Sequence, residues 1–251
     1  HGSEVKPSNP VLRCLMSLSV NACDTVVAVS GFTSSLLPSW IRKRKSPFII
    51  PNGIDLESLP TQEAKRKGLL KGDPSLLTVG HVSPRKGQHR VIKSLPHLAA
   101  EFPGIHYHVV GRPIQRDRLE KLAESLGVSD RVTFHGVAAN HSDLAAYYGN
   151  ADIFMLLSEN QPDGDVEGFG IVALEANHFG LPVVGARNCG VEDAVNEGMS
   201  GYLVDGDDSV QIGEAIGECI RNRDTLGRNA VKWAGKHSWD RIIPEFEKLI
   251  R

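Results

Sequence analysis

Two carboxylates eight positions apart, Glu167 and Glu175, bracket a glycine-rich stretch, Glu167-Gly-Phe-Gly-Ile-Val-Ala-Leu-Glu175. A second stretch, Gly80-His81-Val82-Ser83-Pro84-Arg85-Lys86-Gly87, places two adjacent cations between glycines. On one helix, eight positions amount to about 80° of rotation and about 12 Å of rise. The two acids would then face roughly the same way, two turns apart, too far to work as a pair on one bond. A nucleoside-diphosphate sugar matches that separation. Its diphosphate suits the exposed N–H groups of a helix start, and each carboxylate accepts from a hydroxyl pair. Gly168 and Gly170, without side chains, would let those N–H groups be approached closely. Arg85 offers paired hydrogen bonds to a diphosphate and Lys86 a point charge, which also favours departure of the nucleoside diphosphate. The plainer readings are a Glu that complements a helix dipole, a solvated mid-helix Glu and a solvated loop.

These residues need elements to hold them. Ile153 to Leu157 reads as a strand buried on both faces, and Ser158 to Val166 as a polar loop. Phe169, Val172, Ala173, Ala176 and Phe179 then recur at helical spacing, with Glu167 at the helix start. Gly180 ends that helix and 181–184 forms the next strand. From Ser75 onward, strands over 76–79, 105–110, 131–134 and 201–204 alternate with helices from 88 to about 100 and over 116–126, 140–149, 190–196, 209–221, 225–236 and 239–250. Ahead of them lie a helix over 10–22, a strand over 25–29, a helix over 30–41 opened by a Ser cap, and a strand over 48–50. Pro51-Asn-Gly-Ile-Asp55 reads as a tight turn. The alternation predicts an α/β fold with a Rossmann-like, doubly wound parallel sheet, whose ligands lie at the carboxyl ends of the strands.

Composition narrows the function. With 251 residues, 41% hydrophobic, 23% charged and a net charge of −2, the chain reads as an ordinary globular protein with no electrostatic case for nucleic acid. Cys14, Cys23, Cys189 and Cys219 form no CxxC pair and read as buried free thiols in a reducing compartment. His106 and His108 share one face of a strand without a metal-ligand spacing, so they read as residues of a strand surface or rim, and no metal is expected. No apolar run reaches transmembrane length and no signal peptide is visible, which predicts a cytoplasmic protein. Arg42-Lys43-Arg44-Lys45 reads as a solvated helix end. Peripheral contact with anionic lipid at the inner membrane face is the sharper alternative.

Other enzyme motifs are missing or out of context. Neither a GxSxG nor a Walker loop occurs. Gly168-Phe-Gly-Ile-Val-Ala173 satisfies the GxGxxA dinucleotide pattern, but a long polar loop separates it from the preceding strand. An NADP-dependent oxidoreductase with Arg187 on the 2′-phosphate is therefore the runner-up enzyme.

The stretch from Glu167 to Glu175 resembles the E-x7-E signature of retaining GT-B glycosyltransferases, family four, group one. Asp165-Val166 is similar to the phosphatidylinositol mannosyltransferase branch. Pro51-Asn-Gly-Ile-Asp55 and the Gly80–Gly87 loop match two further family motifs, and the resemblance runs from about Asp24 to the end of the chain. It implies a retaining glycosyltransferase that moves a hexose from a nucleoside-diphosphate sugar to a glycan or lipid-linked acceptor, generally without metal or other cofactor. It also implies that Glu167 and the backbone of Gly168, Phe169, Gly170, Ile171 and Val172 hold sugar and diphosphate. Lys86 and Arg85 would neutralise phosphate, Glu175 would hold the ribose, and Val137 would meet the base. The family carries Arg directly after the first glycine of the Gly80 loop; here His81 stands there. His1-Gly2 resembles an element whose His faces the sugar, so residues 1–46 read as a remnant of the first, acceptor domain. On the same reading 47–236 is the donor-binding domain and 237–251 a helix crossing back. A nucleotide-sugar binding module without transfer activity, or an epimerase of the same fold, are the other readings.

Overall fold

The structure is a computed structural model that describes residues 10–61, 64 and 69–250. Six strands, β3 (Ser75–Val79), β4 (His106–Val110), β5 (Val132–Gly136), β6 (Ile153–Leu156), β7 (Val183–Ala186) and β8 (Gly201–Val204), form one sheet. All neighbours are parallel, in the order β5-β4-β3-β6-β7-β8. This is the doubly wound order, whose topological switch lies between β3 and β6, where the loops after the two strands part to opposite sides. The alternation of strands and helices predicted this architecture, and the sheet bears it out.

Side-chain alternation divides the core between the two faces of the sheet. Leu76, Ile153, Met155 and Val184 point to one side, against the helices α4 (Gln88–Glu101), α5 (Arg116–Ser125) and α9 (Ser209–Arg221). Leu77, Phe154, Leu156 and Val183 point to the other, against α6 (His141–Asn150), α7 (Ile171–His178), α8 (Val191–Ala194) and α10 (Arg223–Lys236). A strand buried on both faces must be apolar at every position, as Ile153–Leu156 is. Asn140 and Asp208 cap α6 and α9 by accepting from Asp143 N and from Val210 and Gln211 N.

The early segment departs from its expected form. α1 (Pro10–Ala22) and the two-residue parallel pair β1 (Val27–Ala28) and β2 (Phe48–Ile49) are as expected. The helix expected over 30–41 is two helices, α2 (Gly31–Leu36) and α3 (Ser39–Lys45), because Pro38 offers no N–H and forces Leu37 into extended backbone. Three cations of the basic run are held by chain oxygens. Arg42 Nε donates to Leu37 O, Arg44 to Asn21 Oδ1 and Lys45 Nζ to Cys23 O at 2.5 Å. That arrangement fits a helix end. Cys14 and Cys23 are exposed, against expectation, whereas Cys189 and Cys219 are buried and burial pushes both thiols up to about 12. All four are free.

The tight turn expected at Pro51–Asp55 does not form. Residues 51–55 carry no turn, Ile54 bridges Ser238, and Ile54 N donates to His237 O at 2.8 Å. Gly53 is needed for closeness, since a Cβ there would lie 2.4 Å from Trp239 Cδ2. Residues near the expected boundaries 46/47 and 236/237 are thus joined at the start of α11 (Trp239–Ile250). Gly53→Ala is expected to push Trp239 aside at a cost of about 1–3 kcal/mol. A lower Tm and faster proteolysis around Ser238 would show it.

His106 and His108 do not lie at a surface or rim. Both are buried and form a file with His135 of β5. His108 Nε2 donates to Lys71 O at 2.9 Å, so a neutral His108 must accept at Nδ1 from His135 Nε2, 3.0 Å away. Burial, then the neighbouring His108, lowers His106 and His135 to about 4 from 6.5. The unfolded chain therefore protonates first, and stability should fall as pH drops from about 6.5 to about 4. Urea melts across that range should show a shallower fall for His135→Asn than for the unaltered protein.

Candidate functional site

The site is built where β3 and β6 end. After Val79, the chain crosses Gly80 to a 3-10 turn, Pro84–Lys86, that turns Arg85 and Lys86 toward the loop following β6. Lys86 passes under Gly80, where a Cβ would lie 3.2 Å from Lys86 Cε, and its Nζ reaches Glu167 Oε2 at 2.7 Å. Arg85 reaches the same oxygen at 2.5 Å and spans to Asp165 at 3.1 Å. Glu167 is 8% exposed. A carboxylate so covered is tolerable only when paired, and here two cations converge on one of its oxygens.

Glu167 is not at the start of a helix. α7 begins at Ile171, after Gly170 takes a left-handed φ of 89°, so residues 167–170 are a loop. The rotation and rise expected between Glu167 and Glu175 therefore do not apply. Phe169 matched the helical period because it is buried, with its ring 6.1 Å from that of His237 and its side chain in the core below β6. Only its backbone remains for a ligand.

Two cavities lie side by side along the carboxyl edge of the sheet. One of about 320 Å³ is lined by Asn52, Arg85, Lys86 and residues 165–172. Another of about 640 Å³ lies over the ends of β3, β4 and β5, lined by Gly80, His81, Arg112, Val137, Asn140 and His141 among others. The structure thus brings together Glu167, Lys86, Arg85, Gly168, Phe169, Gly170, Ile171 and Val172 in the first, and Gly80, His81 and Val137 in the second. Glu175 lines neither. It sits on α7, accepts from Tyr148 Oη at 2.6 Å, and faces charge from Lys86 of the first cavity and His141 of the second. His1 lies outside the described residues.

Reading the sequence missed several neighbours. Asp165 holds Arg85, Tyr148 holds Glu175, and Asn52 lines the first cavity. Ser30 and Thr33 both donate to Gly168 O, and Gly190 N donates to Glu167 O. The Ser-x-x-Thr spacing of a helix cap was the available sign for the first two, but it points to the helix and not to Gly168. The dinucleotide pattern at Gly168–Ala173 lacks its context, because β6 ends at Leu156, twelve positions before Gly168. Arg187 is occupied by Glu197 at 3.1 Å. Among the described residues, no group of His, Cys, Asp and Glu is placed to hold a metal ion, and no helix is long and apolar enough to cross a membrane.

The family model "Glycosyl transferases group 1" matches residues 61–236. The chain belongs to the group 1 glycosyl transferases. A GDP-mannose-dependent alpha-(1-6)-phosphatidylinositol monomannoside mannosyltransferase of Mycobacterium tuberculosis H37Rv is 31% identical over 262 residues, covering 100% of this chain and 68% of that protein. A D-inositol 3-phosphate glycosyltransferase of Geodermatophilus obscurus is 34% identical over 209 residues, covering 78% of this chain and 45% of that protein. Among solved structures, a sucrose-phosphate synthase from Thermosynechococcus elongatus superposes with a TM-score of 0.80 at 27% identity, covering 97% of this chain and 61% of that one. The parallel sheet and its helices match GT-B glycosyltransferase structures, the fold expected from the sequence.

In this group 1 domain, burial raises the carboxyl of Glu175, and the Tyr148 hydrogen bond and the charges of Lys86 and His141 oppose that rise. A carboxyl raised on folding favours the native state below its unfolded value and loses that contribution as pH rises through its folded value. Glu175→Gln keeps an oxygen for Tyr148 and removes the charge. It should raise Tm at neutral pH, and the gain should vanish in acid, which thermal melts between pH 4 and 8 will read.

Proposed function

We propose that the protein is a retaining glycosyltransferase that moves a hexose from a nucleoside-diphosphate sugar to an acceptor. The observation that carries this reading is the Arg85–Lys86–Glu167 cluster, which walls a cavity at the switch point between β3 and β6 and adjoins the larger, more apolar cavity. A donor lying along the edge of the sheet would put its sugar by Glu167 and its diphosphate by Lys86 and the backbone of 168–172. Its ribose would lie by Glu175, and its base between His81 and Val137. Transfer separates an anionic nucleoside diphosphate from a sugar that becomes electron-poor. A fixed ammonium beside the departing oxygens stabilises that charge more in the transition state than in the ground state. Arg85 is engaged by two carboxylates, so Lys86 is the cation we assign to the leaving group and Arg85 the one that holds Glu167 in place. His81, exposed at the rim of the larger cavity, would contact the donor nearer its nucleoside end.

The GDP-mannose dependence printed for the mycobacterial relative makes GDP-mannose the first donor to test, and a lipid-linked inositol mannoside the first acceptor. A lipid-linked acceptor would bring the reaction to the cytoplasmic face of a membrane. Residues 1–46 are, on this reading, the end of an acceptor domain, and 237–251 the helix that returns to it.

Calorimetry with GDP, UDP and ADP should find one nucleotide that binds at micromolar concentration or better and raises Tm by mass action. Lys86→Ala should weaken that diphosphate by about 1.5–3 kcal/mol, the worth of hydrogen bonding to a charged group, and leave the parent nucleoside unaffected. Binding of none of the three by the unaltered protein overturns the reading.

A further inference from the structure

The segment ahead of β2 reaches into the donor site through two hydroxyls. Ser30 Oγ lies 2.6 Å and Thr33 Oγ1 3.0 Å from Gly168 O, across 138 and 135 positions of sequence. Ser30 also accepts from Thr33 N at 2.9 Å as the cap of α2. Ser30 Oγ also lies 2.9 Å from Thr33 Oγ1, so its one proton is shared between that oxygen and Gly168 O, while the Thr33 proton goes to the carbonyl, which has two lone pairs to accept. The two side chains are 0% and 3% exposed, so water does not compete for these bonds. One position earlier, Glu167 O is held by Gly190 N at 2.9 Å. Gly190 packs so tightly there that a Cβ would lie 2.2 Å from Gly168 C. Two successive carbonyls are therefore tied down on the side away from the cavity.

A trans peptide is planar, and its N–H points opposite to its C=O. Holding Glu167 O and Gly168 O outward turns the N–H groups of Gly168 and Phe169 the other way, toward the cavity their residues line. No hydrogen bond among the described residues uses either N–H group. Successive N–H groups aimed into one concavity make an anion-binding nest. We propose that Ser30 and Thr33 are positioning residues of the donor site, fixing the Gly168–Phe169 peptide so that its N–H meets the diphosphate and its carbonyl does not. This rests on reading the cavity as the diphosphate site. Were that peptide free to rotate, its carbonyl lone pairs would face an anion and repel it. Asp193 Oδ1 accepts from Gly31 N at 3.1 Å, which keeps the start of α2 seated against α8 while its hydroxyls do this.

The test compares Thr33→Val, which keeps the shape and removes the hydroxyl, with Thr33→Ser, which keeps the hydroxyl, and with Ser30→Ala/Thr33→Val. Ligand-detected NMR measures GDP against guanosine, or UDP against uridine, whichever pair the unaltered protein binds. The expected result is a loss of about tenfold in nucleoside diphosphate affinity for Thr33→Val. The double variant should lose more, the nucleoside should bind unchanged, and Thr33→Ser should recover most of the loss. Equal weakening of nucleoside and diphosphate would show a merely structural role and overturn the proposal, as would unchanged diphosphate affinity in Thr33→Val. Failure of the unaltered protein to bind any nucleotide would overturn the donor-site reading beneath it.

Discussion

A carboxylate covered by two loops must be neutralised where it lies, and much of the site follows from that requirement. Glu167 is answered by Arg85 and Lys86, and Arg85 in turn by Asp165. The cations come from the loop after β3 and the acids from the loop after β6, so the ion cluster joins the two loops across the switch point. Pairing lets charged groups sit under cover, and removing one partner would leave the other buried without compensation. The cluster contains two cations and two anions. The cluster therefore presents no large net charge to the cavity it walls.

The backbone part of the site is made by closeness more than by the helix dipole. α7 begins only at Ile171. The loop before it is shaped from outside, by Gly190 on one peptide and by Ser30 and Thr33 on the next. These supports come from segments before β2 and after β7. The shape of this loop and the seating of the early helices are consequently one structural problem. The bridge at Ile54 adds a second tie, to the start of α11, and Phe169 packs near His237 at that same place.

Glu175 and the histidine file show two ways of burying titratable groups. Glu175 keeps a hydrogen bond from Tyr148 and the more distant charges of Lys86 and His141, which line one cavity each. The file of His106, His108 and His135 is satisfied within itself and by Lys71 O and Thr133. The acid is tied to a single phenol, whereas the imidazoles link β4 and β5.

Read alone, the sequence determined the doubly wound sheet and nearly every element of it. Strand alternation, caps and the glycines that flank loops are set by residues a few positions apart, so they are visible locally. Only the tertiary structure decided that Glu167 lies in a loop, since Phe169 fits a helical period whether it is buried by a helix or by a turn. It alone decided that Gly53 serves contact with Trp239 and not a turn, because a glycine kept for φ and one kept for closeness are the same letter. The pairing of Arg85 with Asp165, and of Ser30 with Gly168, joins residues 80 and 138 positions apart. Such pairings are chosen by the packing of the whole sheet, which no local pattern encodes.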